Sequence, residues 1–246
     1  MLRVRIIGRG RAGSAFAHAL RGAATVELLG RGDLEDAAAG VDVVVLAVPD
    51  AAIAAAAQAI TPGDAVVAHL SGATTLGALV PHRRVASLHP LVSMPDPVEG
   101  ARRLRGAWMA VAGDPLIDRL AALLDGRTFR VDDEHRALYH ATAAIAANHL
   151  VALMAQVERL AVLTMVPVEA FFELAVGALD NVVASGAAAA LTGPVARQDW
   201  QTVRRHLAAL PEAERSLYFA LVEQAATLAG HGLPSDLAAI HGPTSW

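Results

Sequence analysis

The chain contains no cysteine and no lysine; all 20 of its basic residues are arginine. The absence of cysteine rules out thiol nucleophiles, disulfides and thiolate metal sites. The absence of lysine rules out Schiff-base catalysis, a P-loop lysine and a lysine general acid. No H-E-x-x-H or H-x-H string occurs, so the ten histidines do not suggest a metal site. No G-x-S-x-G elbow occurs either, which argues against a serine hydrolase. A formal net charge of −4 leaves no basic footprint for nucleic acid. No apolar run reaches transmembrane length without interruption. The N-terminal run from Val4 to Ile7 is broken by Arg5, with no cleavage site after it. The expectation is a cytoplasmic protein whose partners include neither nucleic acid nor membrane.

What the chain does have begins at its start. Arg3-Val-Arg-Ile-Ile7 reads as a short strand that runs directly into Gly8-x-Gly10-x-x-Gly13, and a helical pattern follows from Ala12 to Leu20. In that context the three glycines form a dinucleotide-binding fingerprint. The first permits the tight turn, the second admits a pyrophosphate to the backbone, and the third lets the helix pack on the strand. The helix N-terminus offers free N–H groups and partial positive charge to the phosphates.

The 246 residues are 54% hydrophobic, a share inflated by alanine, and suffice for one large domain or two modest ones. The first half alternates strands, expected near Val4–Ile7, Thr25–Leu29, Val41–Val48, Ala65–Leu70, Arg84–Leu88, Ala107–Ala112 and Arg127–Val131, with helices. That alternation predicts an α/β, doubly wound parallel sheet. The run Val43 to Val48 suits a central strand buried on both faces. From Asp132 onward the pattern is helical only, with Pro167 breaking a long first helix. The expected organisation is a dinucleotide-binding Rossmann domain over 1–131 and an all-helical domain over 132–246.

The second strand leads into Gly30-Arg31-Gly32-Asp33. An acid near this position suits the ribose hydroxyls of NAD, and an arginine suits the 2′-phosphate of NADP. Arg31 is the first charged residue past the strand, so the reading favours NADP, with NAD as the alternative through Asp33. Around the glycines, Gly8, Arg9, Gly10, Arg11, Ala12 and Gly13 are the candidate cofactor contacts. Val48 and Pro49 after the third strand, and Ser71 and Gly72 after the fourth, complete the expected cofactor site, since ligands bind beyond the strand carboxyl ends.

Four strings carry a resemblance: His69-Leu-Ser71-Gly72-Ala73, Ser87-Leu-His89-Pro90-Leu91, Tyr139-His140-Ala-Thr-Ala-Ala-Ile-Ala-Ala-Asn148 and Leu191-Thr-Gly-Pro-Val-Ala-Arg197-Gln-Asp199. On these the chain resembles the Rossmann-like plus DUF2520 family, related to the 6-phosphogluconate, ketopantoate, pyrroline-5-carboxylate and prephenate reductases and dehydrogenases. The resemblance implies a nicotinamide-dependent oxidoreductase and a homodimer formed through the long helices. Two positions depart from the pattern. Gln198 stands where the family string has glycine, and Ala144 stands where the better-known relatives place a lysine four residues before a catalytic asparagine, matched here by Asn148.

His140, Ala144 and Asn148 are four apart and fall along one side of a helix. His140 is the first candidate for proton transfer and His89, at a strand end, the second. Asn148 would orient the substrate or the nicotinamide amide; the structural alternative is a His and an Asn that satisfy each other inside a bundle. His69, Arg197 and Asp199 are candidate substrate contacts. Arg197 suits a carboxylate, while Asp199 is equally a helix N-cap. The reaction expected is hydride transfer between nicotinamide and a carbonyl or imine carbon of a small, carboxylated metabolite. The alternative is a dinucleotide-binding sensor or scaffold without catalysis. An enzyme would show polar groups converging beside the nicotinamide, and a binding module an apolar or closed cleft.

Overall fold

Val43 to Leu46 are four consecutive residues with no solvent exposure, because the strand they form is covered on both faces. Alternate side chains enter different cores. Val43 and Val45 pack in a cluster with Phe16 and Leu20, and Val44 and Leu46 in one with Ile53 and Ile60. The computed structural model describes residues 1–30, 32 and 34–239.

The strands are β1 (Arg3–Ile7), β2 (Thr25–Leu29), β3 (Val43–Leu46), β4 (Val66–His69), β5 (Val85–Pro90), β6 (Trp108–Gly113) and β7 (Arg127–Arg130). They form one sheet in the order β2-β1-β3-β4-β5-β6-β7. The strand order reverses at β1, where β2 lies on one side and β3 on the other. The ligand crevice of doubly wound sheets lies at this reversal, beyond the strand carboxyl ends.

The sheet is doubly wound as expected and parallel but for one pair: β5 and β6 run antiparallel, with Pro90 opposite Met109. A helix lies between these two strands. Pro97–Leu104 (α3) follows Asp96, whose carboxylate accepts from the amides of Val98 and Glu99, and proline occupies the first turn. Gly100 lets this helix lie on the first one, α1 (Arg11–Ala19): a Cβ there would come within 2.9 Å of the Ala15 Cβ. Because β6 runs antiparallel to β5, the chain re-enters the sheet from the end at which it left.

The remaining helices of this part are α2 (Ile53–Gln58), α4 (Leu116–Ala122) and α5 (Arg136–Ala144). Two compact units divide the chain, Met1–Leu150 and Val151–Trp246. Although the strand pattern ends near residue 131, α5 belongs to the first unit.

The second unit carries α6 (Leu150–Thr164), α7 (Val168–Ser185), α8 (Ala187–Ala190), α9 (Trp200–Ala209), α10 (Glu212–Leu228) and α11 (Ser235–Ala238). Val203 and Leu207 meet Phe219, Val222 and Ala226 in its core. Arg159 clamps Glu214 from α6, at 2.6 Å. Among the described residues, α7 buries none of its side chains. The helical stretch Asp133–Thr164 is long and apolar enough, by length and composition, to cross a membrane. A search for uninterrupted apolar runs misses it because His140, Asn148 and His149 punctuate it.

Candidate active site

The three glycines of the opening turn have three different surroundings. Gly8 has φ +117°, and a Cβ on it would stand 2.3 Å from the Ala47 carbonyl oxygen at the end of β3. A Cβ on Gly13 would stand 1.9 Å from the Gly8 carbonyl oxygen. A Cβ on Gly10 would meet no other part of the chain within 4 Å, the first turn of its own helix aside. The outer two are therefore required by the fold, and the middle one leaves open space. Gly10 is also the N-cap of α1, with no side-chain cap and no acidic residue in the first turn. An uncapped helix start of this kind is suited to an anion. Beside it lies a cavity of about 540 Å³, lined by Gly10, Arg11, Ala12, Val48 and Pro49 on one side and by His89, Pro90, Val92 and Ser93 on the other. Arg9 is exposed and is not part of this lining. Arg31 and Asp33 lie outside the described residues.

The turn after β4 is occupied by its own bonds. The Ser71 hydroxyl donates to Asp50 at 2.7 Å and accepts from the amides of Ala73 and Thr74. The latter two are the local side-chain-to-backbone bonds of a serine turn. Gly72 lies against the His89 ring, so close that a Cβ would come within 2.9 Å of the ring's Cε1 and Nδ1. His69 is fully buried beneath the cleft rather than lining it. Burial chiefly, and next the nearby Arg136 cation, hold its pKa down at about 4.

A second cavity, of about 470 Å³, opens from the same β5 end. It is lined by His89, Pro90, Leu91, Val92 and Ser93, and across from them by His140, Ala143, Ala144, Ala146, Ala147 and Asn148. Four residues, His89, Pro90, Val92 and Ser93, line both cavities. The polar groups around the second cavity are His89, Ser93, His140 and Asn148, and no arginine or carboxylate is among its lining residues. A substrate carboxylate therefore finds no cation in this lining.

His140 and Asn148 reach the same cavity because the helix is not regular between them. Ile145–His149 forms a π-helical turn. Eight residues of regular α-helix rotate about 80° past two full turns, and one i→i+5 turn absorbs about one extra residue, or ~100°, which returns Asn148 to within ~20° of His140. Single π-turns are frequent at functional sites. The buried Nδ1 of His140 has no hydrogen-bond partner among the described residues.

His89 is held on three sides. Its Nδ1 lies 2.7 Å from the Tyr139 hydroxyl, its ring meets those of Tyr139 and His140 edge to face, and Gly72 backs it. Burial, followed by the His140 charge, lowers its pKa to about 4. Burial raises that of Tyr139 to about 12.

Sequence reasoning missed the groups that anchor α5. Arg136 is only 2% exposed. Its Nε donates to Asp133 at 2.8 Å and its terminal nitrogen to the Ser87 hydroxyl on β5. Asp133 also accepts the Leu76 amide. The Asp-Asp-Glu run thus supplies a ligand for a buried arginine as well as charge at a helix start. An arginine three residues after an aspartate was the available signal, but that spacing is equally common on solvated helix faces.

In the second unit, Asp199 caps α9, accepting from the Thr202 amide and hydroxyl, and these bonds depress its pKa. Arg197 is exposed. Gln198 between them has φ +57°, the left-handed region.

Residues 110–225 match the model of a family described as Domain of unknown function (DUF2520), which bears out the resemblance read from the sequence strings. Solved structures share the fold over nearly the whole chain. Protein TM1727 from Thermotoga maritima is 24% identical with a TM-score of 0.73, over 92% of this chain and 98% of its own. BF3122 from Bacteroides fragilis, provisionally named an NADP oxidoreductase, is 18% identical with a TM-score of 0.76 over the same shares. A Plasmodium falciparum pyrroline carboxylate reductase, solved with NADP bound, is 12% identical with a TM-score of 0.61, over 93% of this chain and 98% of its own. No curated protein matches. At these identities the likeness establishes a Rossmann-type sheet domain followed by helices.

Proposed function

We propose that the protein is an oxidoreductase that uses a nicotinamide dinucleotide, with NADP preferred, to reduce or oxidise a carbonyl or imine carbon of a small metabolite. One observation carries this reading: a groove beginning at an uncapped helix N-terminus and a separate side pocket share a wall at His89. The groove is where a dinucleotide would lie. The open space at Gly10 would admit its pyrophosphate, the α1 amides would receive the charge, and Val48 and Pro49 would flank it. When bound, the nicotinamide supplies hydride chemistry. The fold relatives that bear the name NADP oxidoreductase or hold NADP support the choice of cofactor.

The chain's own residues would position and polarise the substrate. His89 stands where the two cavities meet. His140, whose ring meets that of His89, and Asn148 line the second cavity with it and would move a proton and orient the reacting group. Convergence of His89, His140, Asn148 and Ser93 favours an enzyme over a dinucleotide sensor, because a binding module has no need of them. The alanine wall from Ala143 to Ala147 suits the apolar part of a small substrate. The position matching the relatives' lysine is Ala144 on this wall, so proton transfer falls to the histidines.

A second copy of the chain is the partner we propose. Helix α7 buries nothing within its own unit, and Leu174 and Val183 are exposed on it, Val183 to 88%. Val162, Leu163 and Met165 add apolar surface on and after α6. So many exposed apolar side chains on two helices suit an interface.

Calorimetric titration of ligand-stripped protein with NADPH and then NADH tests the proposal. Micromolar NADPH binding with NADH at least tenfold weaker is the expected result. Equal binding would shift the 2′ contact from Arg31 to Asp33, and binding of neither would end the oxidoreductase reading.

A further inference from the structure

We propose that Tyr139 is a positioning residue: its hydroxyl donates to His89 Nδ1 and, with Gly72 behind the ring, fixes His89 as the tautomer that presents Nε2–H to the cavities. This rests on the oxidoreductase reading for its chemical purpose, but its geometry stands apart from it.

A phenol is a strong donor and a poor acceptor, whereas a neutral imidazole nitrogen is a good acceptor. At 2.7 Å the Tyr139–His89 contact is short, and among the described residues it is the hydrogen bond assigned to the Tyr139 hydroxyl. The proton therefore lies on the tyrosine side and the Nδ1 lone pair is filled. Gly72 lies against the face of the same ring over Cγ, Nδ1 and Cε1, where even a methyl group would collide. With Nδ1 taken by Tyr139, Nε2 is the ring nitrogen left for the two cavities that His89 lines. Tyr139 is itself braced by Phe129, whose ring meets it edge to face with centroids 5.9 Å apart.

The electrostatics agree with this arrangement. Burial keeps the imidazole unprotonated and the phenol un-ionised at neutral pH, so both groups hold the neutral forms that the bond requires. A neutral Nε2–H cannot act as a strong acid. It can donate a hydrogen bond to the oxygen or nitrogen on which charge develops, polarising the reacting bond. The roles then divide: His89 polarises, and His140, whose ring touches it, is left for proton transfer. A tyrosine beside a histidine in sequence gives no hint of this, because the histidine it serves is on another element, 50 residues away.

The test is nitrogen-15 NMR of the full-length protein labelled at histidine, between pH 6 and 8. The expected spectrum has His89 protonated on Nε2, with its Nδ1 resonance shifted by an accepted hydrogen bond and correlated to a slowly exchanging Tyr139 hydroxyl proton. Tyr139→Phe, which keeps the ring against Phe129, should abolish that correlation and move Nδ1 to the value of an unbonded nitrogen. A wild-type proton on Nδ1, or an Nδ1 resonance unchanged in Tyr139→Phe, would overturn the proposal. Neither readout requires cofactor or turnover. Failure here is therefore distinct from failure of dinucleotide binding, which calorimetry reads separately.

Discussion

A Cβ placed on Gly13 would stand 1.9 Å from the carbonyl oxygen of Gly8, so the first turn of α1 is seated directly on the end of β1. A Cβ on Gly10, between them in sequence, would point into open space. The fingerprint thus separates into two structural glycines and one that leaves room for a ligand. Gly13→Ala should destabilise the protein by roughly 2–4 kcal/mol, through overpacking against backbone that cannot yield. Gly8→Ala should do at least as much, since its φ of +117° adds strain to the clash. Gly10→Ala should fold with an unchanged urea midpoint and lose dinucleotide affinity at least tenfold. Urea unfolding and calorimetry on the three variants check this. A Gly10→Ala protein with full affinity would place the pyrophosphate elsewhere.

Gln198 offers the opposite case, a residue where the family string has glycine and the backbone still takes the glycine conformation, at φ +57°. A non-glycine side chain in the left-handed region costs about 1–2 kcal/mol. Reverting it to glycine recovers that but adds about 0.4–1 kcal/mol of unfolded-state freedom. Gln198→Gly should therefore raise stability by up to ~1 kcal/mol, a gain of a few degrees in Tm. A lowered Tm would mean that the Gln198 side chain makes a compensating contact.

Much of the sheet was legible because β3 and its neighbours are short apolar runs set off by glycine, proline and aspartate, a local signal. The antiparallel direction of β6 was not, since an apolar run reads the same whichever way its strand lies beside its neighbour. The same distinction holds at the site. The glycine turn, His89, His140 and Asn148 could be named from their strings. The Tyr139–His89 bond and the Arg136–Ser87 bond could not, because each joins residues about 50 apart. His69 was read as a ligand contact on the strength of its strand-end position, yet the last residue of β4 is still inside the core.

That burial has a consequence for acid stability. Above pH 6.5 the rings of His69 and His89 are neutral in both folded and unfolded protein, and contribute no difference. Between about 6.5 and 4 the unfolded chain takes up protons that the folded rings refuse, so stability falls as the pH falls. The loss is at most ~1.4 kcal/mol per pH unit for each histidine, and less for His89, which is partly exposed. Urea midpoints should drop clearly from pH 7 to pH 5, and the drop should be smaller in His69→Gln. An identical drop in that variant would assign the effect to other groups.

The apolar surface of α6 and α7 makes the proposed second copy testable without any ligand. Leu174, at 71% exposed, and Val183, at 88%, are the least covered large side chains of α7, and a helix that buries nothing within its own unit gains its packing from outside it. The wild-type protein should sediment as a dimer at micromolar concentration. Leu174→Arg combined with Val183→Arg places two cations in the proposed interface at the two most exposed large apolar side chains of the helix. The dissociation constant should rise by at least a hundredfold, about 2.7 kcal/mol of lost association energy, while helical circular dichroism stays unchanged. A wild-type protein that sediments as a monomer at that concentration would refute the dimer. A double variant that remains dimeric would move the interface away from α7.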